Sequence, residues 1–369
     1  MKVLHISGAK SWGGNEQQII YCIPELNKIG VESIVFAIKD SILGQQCIDS
    51  EIPLFAVKKG KLNTISNYRY LLDIIKEVKP DLIHLHTSNS LTFYVLVNFF
   101  ARLNLKIVFS KKAISASSSI ISKYKYNYKK IDSIFCVSEL VKSNFSDVLS
   151  EKNKNKLVVI PDCVAIDVLH KPNKIDLRQK YNIEKSFLVV GNIANHTDAK
   201  DLMCFINTVE YLIKNLKIRN VVFFQIGKFS KLTEEYLKII KEKELQDFIF
   251  FTDKIEDASS LNLQFDVFLM TSQREGGPTS VLEAMLFGVP VVSTNVGIVP
   301  EMIIDGNNGF ISPIKDFKDL AAKIKILLDD EELRKTFSEK SKVVITERAT
   351  ASVIAKKTFE EYNKIISAK

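Results

Sequence analysis

The stretch Thr271–Val299, TSQREGGPTSVLEAMLFGVPVVSTNVGIV, decides the fold. It follows a short apolar run, Val267–Met270, that reads as a buried strand. A polar loop with Glu275, Gly276, Gly277 and Pro278 comes next, and then a helical pattern. Proline is favoured at the first helical position and Thr279 and Ser280 suit a cap, so a helix is expected to begin near Pro278–Ser280. The first amides of such a helix lack partners within it, and its dipole favours an anion such as a diphosphate. Glu275 stands before the helix and Glu283 about one turn inside it. Two carboxylates so spaced can span a nucleotide sugar, one accepting from sugar hydroxyls and the other from ribose hydroxyls. They can equally be a solvated loop residue and a surface helix position. Spacing alone leaves both readings open.

The same alternation runs outward in both directions. Candidate strands are Val3–Ser7, Ser33–Ala37, Leu82–His86, Lys106–Ser110, Ile134–Val137, Leu157–Ile160, Phe187–Val190, Val221–Ile226, Phe248–Phe251, Val267–Met270 and Pro290–Ser293. Between them lie helical patterns at Asn15–Ile29, Ile65–Val78, Asp201–Leu216, Thr233–Lys243 and Phe317–Leu328. Apolar strands alternating with helices read as βαβ units, hence parallel sheets covered on both faces. There are too many strands for one open sheet. The chain is therefore expected to form two doubly wound α/β halves, with a seam near Pro161–Asn173, facing each other across a central cleft. Ligands of such sheets bind at the carboxyl ends of the strands, where strand order reverses.

Composition narrows the function classes. The 369 residues are 46% hydrophobic and 25% charged, values of an ordinary globular chain. The longest apolar stretch, Leu91–Ala101, is too short to span a membrane, and MKVLHISGAK at the start lacks a signal peptide's apolar core. A cytoplasmic protein is expected. Its five cysteines are scattered, without a C-x-x-C pair, and are expected to be buried thiols and not a disulfide or zinc framework. The net charge of +8 favours anionic partners. No zinc-finger, RNP or helix-turn-helix pattern points to nucleic acid.

The whole Thr271–Gly309 region resembles the signature of the retaining glycosyltransferases of family four, which have the GT-B fold. The family's E-G-x-P-x-x-x-x-E-A-M stands here as Glu275–Met285, and its G-x-P-V-V-S-T as Gly288–Thr294. G-x-x-P-E follows as Gly297–Glu301, and D-G-x-x-G as Asp305–Gly309. The resemblance implies that Glu275 contacts the donor sugar and Glu283 the nucleoside ribose. Gly276, Gly277, Thr279 and Ser280 would line the donor between them. SGAKSWGGNE at Ser7–Glu16 is similar to the family's G-G-x-E loop. Gly13 and Gly14 are thereby implied beside the donor phosphates and Glu16 near the acceptor, with glycine supplying close approach and positive φ. DLIHLHTS at Asp81–Ser88 matches D-x-x-H-x-H, whose second histidine, His86, lies near the donor sugar; His84 is expected to be a packed residue or one that supports the site from behind. Two histidines alone fall short of a metal site, and His5, His170 and His196 carry no motif. FLVVGNIANHTDAKDL at Phe187–Leu202 resembles the segment whose Arg and Lys grip the diphosphate. Lys200 matches the Lys, while Asn195 stands where the Arg belongs, with Arg274 or Lys228 as substitutes.

These matches imply domains at 1–165 for the acceptor and 166–350 for the nucleotide sugar, with the helix of 351–369 crossing back to the first. His86, Glu275 and Lys200 are the expected catalytic residues. The expected reaction transfers a hexosyl or N-acetylhexosaminyl group from a nucleotide diphosphate sugar to a glycan or lipid-linked acceptor, without metal or other cofactor. A nucleotide-sugar epimerase, a pyridoxal-dependent phosphorylase or an inactive sugar-nucleotide-binding homologue are the alternatives. Finally, Lys111–Lys130 alternates basic and aromatic residues, either an ordinary solvated segment or a peripheral contact with the anionic inner face of the cytoplasmic membrane through Tyr124, Tyr126 and Tyr128.

Overall fold

Valine-, isoleucine- and phenylalanine-rich runs that are apolar on both faces need cover on both faces, which parallel sheets flanked by helices provide. The computed structural model describes residues 1–58, 60–114, 119–171 and 175–368. Within them the chain divides into one unit of residues 1–163 plus the segment from 351 onward, and a second of 164–350. The first unit holds β1 (Lys2–Ile6), β2 (Glu32–Ala37), β3 (Leu54–Ala56), β4 (Leu82–Leu85), β5 (Lys106–Lys111), β6 (Ser133–Cys136) and β7 (Leu157–Val159). The second holds β8 (Leu188–Ile193), β9 (Val221–Ile226), β10 (Ile249–Thr252), β11 (Val267–Met270), β12 (Val291–Thr294) and β13 (Phe310–Ser312). The strand order is β3-β2-β1-β4-β5-β6-β7 in one sheet and β10-β9-β8-β11-β12-β13 in the other. Every pairing is parallel. These are two doubly wound, Rossmann-like sheets. Order reverses between β1 and β4 in the first and between β8 and β11 in the second, and those two points are where ligand sites form.

Two short edge strands, β3 and β13, add to the expected set, as do the helices Ile42–Asp49, Glu139–Ser146 and Glu331–Arg348. The stretch noted only as apolar, Leu91–Ala101, lies in a helix, Ser88–Ala101, which buries Leu91, Phe93, Tyr94 and Val97 against the first sheet. Helix ends carry their own chemistry. The Thr64 hydroxyl accepts from the Asn67 amide at 3.3 Å to open Ile65–Val78, and Lys79 at φ 49° closes it. Of the expected seam, Pro172 and Asn173 lie outside the described residues, as do 115–118 of the Lys111–Lys130 segment.

The last helix, Ala351–Ser367, belongs to the first unit. Its Ala351, Ile354, Ala355, Tyr362 and Ile365 join Val3, Leu26, Leu82 and Phe135 in one buried cluster. The cysteines are free; Cys47, Cys136, Cys163 and Cys204 are buried and Cys22 is half-buried. No described helix is long and apolar enough to cross a membrane.

Candidate active site

At the reversal point of the second sheet, the loops after β8 and β11 are laced together. The Gln273 amide donates to Ala199 O at 2.9 Å, its side chain donates to Asp198 O at 2.7 Å, and Thr271 Oγ1 donates to Lys200 O at 3.2 Å. This lacing brings Lys200 and Glu275 together although 75 positions separate them. Lys200 Nζ meets Glu275 Oε1 at 2.5 Å, and Ser272 Oγ donates to the same oxygen at 2.8 Å. The β11 loop is pinned from behind as well. Thr294 Oγ1 donates to Ser272 O at 2.5 Å, and Gly297, at φ +53°, lies directly against Gly276.

The helix Thr279–Phe287 follows at once. Pro278 takes the N-cap position, one residue earlier than the first helical position expected for it, and it makes no side-chain cap. The first-turn amides are thus left without a side-chain acceptor next to the Lys200–Glu275 pair, an arrangement suited to a phosphate. Thr279 is buried, and among the described residues its hydroxyl oxygen has no partner. Glu283 is buried, Gly276 is buried, and Gly277 and Ser280 are half-buried.

Asn195 does different work from the cation it replaces. It is exposed, and its Oδ1 accepts from the Lys228 amide at 3.0 Å, latching the β8 loop to the loop after β9. Arg274 and Lys228 are exposed. His196 is a satisfied core residue, with Nδ1 on Thr233 Oγ1 at 2.8 Å and Nε2 on Gln225 Oε1 at 2.5 Å. Asn195→Arg removes one latch, a net loss of about 1 kcal/mol, and adds a bidentate phosphate donor. Donor affinity is therefore expected to hold or to tighten by up to about tenfold on that change. Calorimetry with the cognate sugar nucleotide checks it, and a large loss of affinity would mean a pocket built around the asparagine.

In the first unit, Gly13 is the N-cap of the helix Gly14–Lys28 at φ −162° and ψ −175°, and Gly14 is its first residue. Neither has positive φ, so the expected conformational reason for the pair is corrected: Gly13 is extended and Gly14 helical. Glu16, two residues on, is buried. Burial outweighs the backbone amides of Glu16 and Gly13 that hydrogen-bond its carboxylate, and pushes its pKa up to about 7. A carboxyl with a raised pKa in the folded state binds its proton better folded than unfolded. Its contribution to stability is full below the unfolded pKa and is lost as pH rises through 7. Glu16→Gln is accordingly expected to stabilise the chain relative to wild type at pH 8 and not at pH 4.5, by on the order of 2–3 kcal/mol. Denaturant midpoints at the two pH values read this directly, and a gap independent of pH would contradict it.

His86 directly follows β4, at the reversal point of the first sheet. It is stacked on His84 at 4.0 Å between ring centroids. His84 is packed, as its place in the strand implied: Nδ1 meets Tyr362 Oη at 2.5 Å and Nε2 meets Ser110 Oγ at 2.8 Å. His5, which carries no sequence motif, is the residue the sequence reading missed. Parallel register sets it beside His84 across β1 and β4, and its Nδ1 lies 2.9 Å from His86 Nε2. The three rings are the one described group with metal-ligand proximity, so the count of two ligands is corrected to three. Both nitrogens of His84 and the facing nitrogens of His5 and His86 are already engaged in hydrogen bonds. Nearby, Lys112 and Asp162 form a mostly buried ion pair.

The Lys111–Lys130 segment is less exposed than its alternation implied. Lys111 is buried beside the Tyr126 and Phe145 rings, and Tyr126 is itself buried. Tyr128 Oη accepts from Asn98 Nδ2 at 3.0 Å, Lys125 donates to Ser88 Oγ at 2.5 Å, and Lys130 donates to Leu103 O at 2.7 Å. Lys123, Tyr124 and Lys129 remain exposed. Ile120, at 87% exposure, and the edge-to-face pair Phe99 and Phe100, at 72% and 77%, were not anticipated.

Two family models match the chain in tandem: Glycosyltransferase Family 4 over residues 12–168, and Glycosyl transferases group 1 over 173–344. Among curated relatives, an N-acetyl-alpha-D-glucosaminyl L-malate synthase of Bacillus anthracis is 23% identical, over 64% of this chain and 60% of that protein. The capsular polysaccharide biosynthesis glycosyltransferase CapM of Staphylococcus aureus is also 23% identical, over 86% of each chain. Anabaena Alr3699/HepE, solved in complex with UDP-glucose, has the same fold with a TM-score of 0.84 at 20% identity, covering 99% of this chain and 100% of that one.

Proposed function

The chain belongs to glycosyltransferase family 4 and has the GT-B fold, and on that premise we propose that it is a retaining hexosyl- or N-acetylhexosaminyltransferase of surface-polysaccharide synthesis. Its donor is a nucleotide diphosphate sugar and its acceptor a glycan or lipid-linked glycan. The observation that carries this reading is the Lys200–Glu275 pair held beside an uncapped helix N-terminus at a strand-reversal point. The anomeric C–O bond breaks, its electron pair leaves with the diphosphate, and Lys200 with the Thr279 and Ser280 amides stabilises the developing charge. The acceptor oxygen attacks from the same face, and the leaving phosphate takes its proton. Glu275 and His86 hold the sugar and Glu283 the ribose, so catalysis is positional and electrostatic.

Lysine and helix amides supply the positive charge, so no metal is invoked. Transfer is expected to be unchanged in excess EDTA; loss that only added metal restores would overturn this. A panel of nucleotide sugars screened by thermal shift tests the donor, since a ligand at about 100 times its dissociation constant adds about 2.7 kcal/mol. Proton NMR of the product then reads the anomeric configuration. Inversion, or a C2-inverted sugar nucleotide formed without acceptor, would replace this reading.

A cytoplasmic location with reversible contact at an anionic membrane is part of the proposal. Exposed Phe99, Phe100, Ile120 and Tyr124 support it, with Lys123 and Lys129 close in sequence to the last two: apolar tips for the headgroup boundary and cations for the lipid charge. Co-sedimentation with phosphatidylglycerol vesicles is expected at low salt and should fade near physiological salt, where charges are screened beyond about 8 Å. The variant with Phe99, Phe100, Lys123 and Lys129 all changed to Ser should stay in the supernatant. Equal sedimentation of both proteins would remove the contact.

A further inference from the structure

The His5–His86 contact plays no part in the transfer step proposed for this site. All three rings of the cluster are buried, with His86 the most open at 8% exposure, against 2% for His5 and 5% for His84. Desolvation holds His5 at a pKa of about 3 and the other two well below the usual imidazole range, so each ring is neutral with a single N–H. In the contact at 2.9 Å, either His5 Nδ1–H donates to His86 Nε2 or the reverse. The other nitrogen of His5 decides between them. Its Nε2 is buried and has no partner among the described residues. A buried N–H without an acceptor costs more than a buried lone pair without a donor, because the donor has only one way to be satisfied. His5 therefore carries its proton on Nδ1 and gives it to His86 Nε2. The proton of His86 is then on Nδ1.

We propose that His5 is a positioning residue: it fixes His86 as the Nδ1–H tautomer and locks its ring, so that His86 meets the donor sugar as a hydrogen-bond donor. The inference rests on the assignment of His86 to the sugar site. His84 supports the same geometry. Its two nitrogens are committed to Tyr362 and Ser110, so it cannot turn to compete for His5, and its ring stacks on that of His86 with 29° between the planes. In metal sites, histidines whose second nitrogen is fixed by a neighbour lose about 10–100-fold in metal affinity or activity when that neighbour is removed, and the same scale is taken for a ring held toward a sugar.

Three replacements of His5 separate orientation from packing. His5→Asn keeps an amide donor near the position of Nδ1, His5→Gln moves it toward that of Nε2, and His5→Val removes it. The kcat of His5→Asn is expected to stay within about fivefold of wild type. That of His5→Val and His5→Gln should fall about 10–100-fold, with donor dissociation constants within twofold. Because the chain has only five histidines, ¹⁵N-histidine labelling also reports the tautomer directly through long-range proton–nitrogen couplings. His86 should be Nδ1–H in wild type and His5→Asn, and mixed in His5→Val. Three results would overturn the proposal: an Nε2–H His86 in wild type, equal kcat in all His5 variants, or a stoichiometric metal ion on the three rings. Full activity in His86→Ala would instead remove the role of His86 itself, while the tautomer spectrum still reports whether His5 sets it.

Discussion

Glu275→Ala is expected to lower kcat by about 100- to 1,000-fold, the scale on which removal of one preorganised transition-state contact acts. Donor affinity should move the other way. In the unliganded chain Glu275 Oε1 holds Lys200 Nζ at 2.5 Å, with the two side chains 13% and 24% exposed. A diphosphate must draw that ammonium away from its carboxylate. Without Glu275 the ammonium is already available, so the dissociation constant for the nucleotide should be unchanged or up to about fivefold lower, a partly exposed pair being worth about 1 kcal/mol or less. Lys200→Ala is the mirror case: binding and turnover fall together, and a half-buried carboxylate is left without its cation. The double variant should resemble the worse single variant, because the two side chains act as a unit. Steady-state kinetics with calorimetry on all four proteins tests this. Small, equal effects of the single changes would remove the pair from the chemistry.

Gly297→Ala is expected to be strongly damaging for the addition of a single methyl group. At φ +53° the position already disfavours a side chain, and an added Cβ would lie 2.4 Å from Gly276 O and 3.1 Å from Glu275 O. Those are backbone atoms of the loop that carries Glu275, so relief requires moving that loop. A loss of about 2–3 kcal/mol is expected, lowering the melting transition of the second unit by about 4–10 °C, with donor affinity reduced as well. Gly306→Ala is the control. It has φ +74° but nothing within 4 Å of the added carbon, so only the backbone strain of about 1 kcal/mol applies. Calorimetric scans giving both variants the same shift would show that the contact with Gly276 carries no weight.

Both sheets were legible because buried parallel strands are apolar on both faces and stand out against amphipathic helices. Val221–Ile226 and Val267–Met270 are strands with the limits the sequence implies. The strands β3 and β13 were not legible: each has three residues and lies at a sheet edge, with Leu54–Ala56 only half-buried, so neither makes a contrasting run. Alternation misled at Ser122–Lys130. On a helix, residues two apart point about 200° from each other, so Tyr124 faces out while Tyr126 turns into the core. The Thr271–Val299 segment announced its loop and helix locally. What no local pattern could announce was the company its residues keep. Lys200 with Glu275 and His5 with His86 are partners across 75 and 81 positions, set by strand register and loop lacing.

Tyr362 ties the two ends of the sequence together, and this dictates an order of assembly during synthesis. Residues 1–163 emerge from the ribosome first, yet their sheet stays uncovered where Ala351–Ser367 will lie, and His84 Nδ1 waits for a phenol 278 positions downstream. The middle of the chain, 164–350, holds its own sheet and core and is free to fold while the beginning is still unfinished. The nascent N-terminal half thus depends on chaperoning or on tolerance of an open face until the final helix is released. A released chain truncated after residue 350 would display a finished second unit and a protease-sensitive first one.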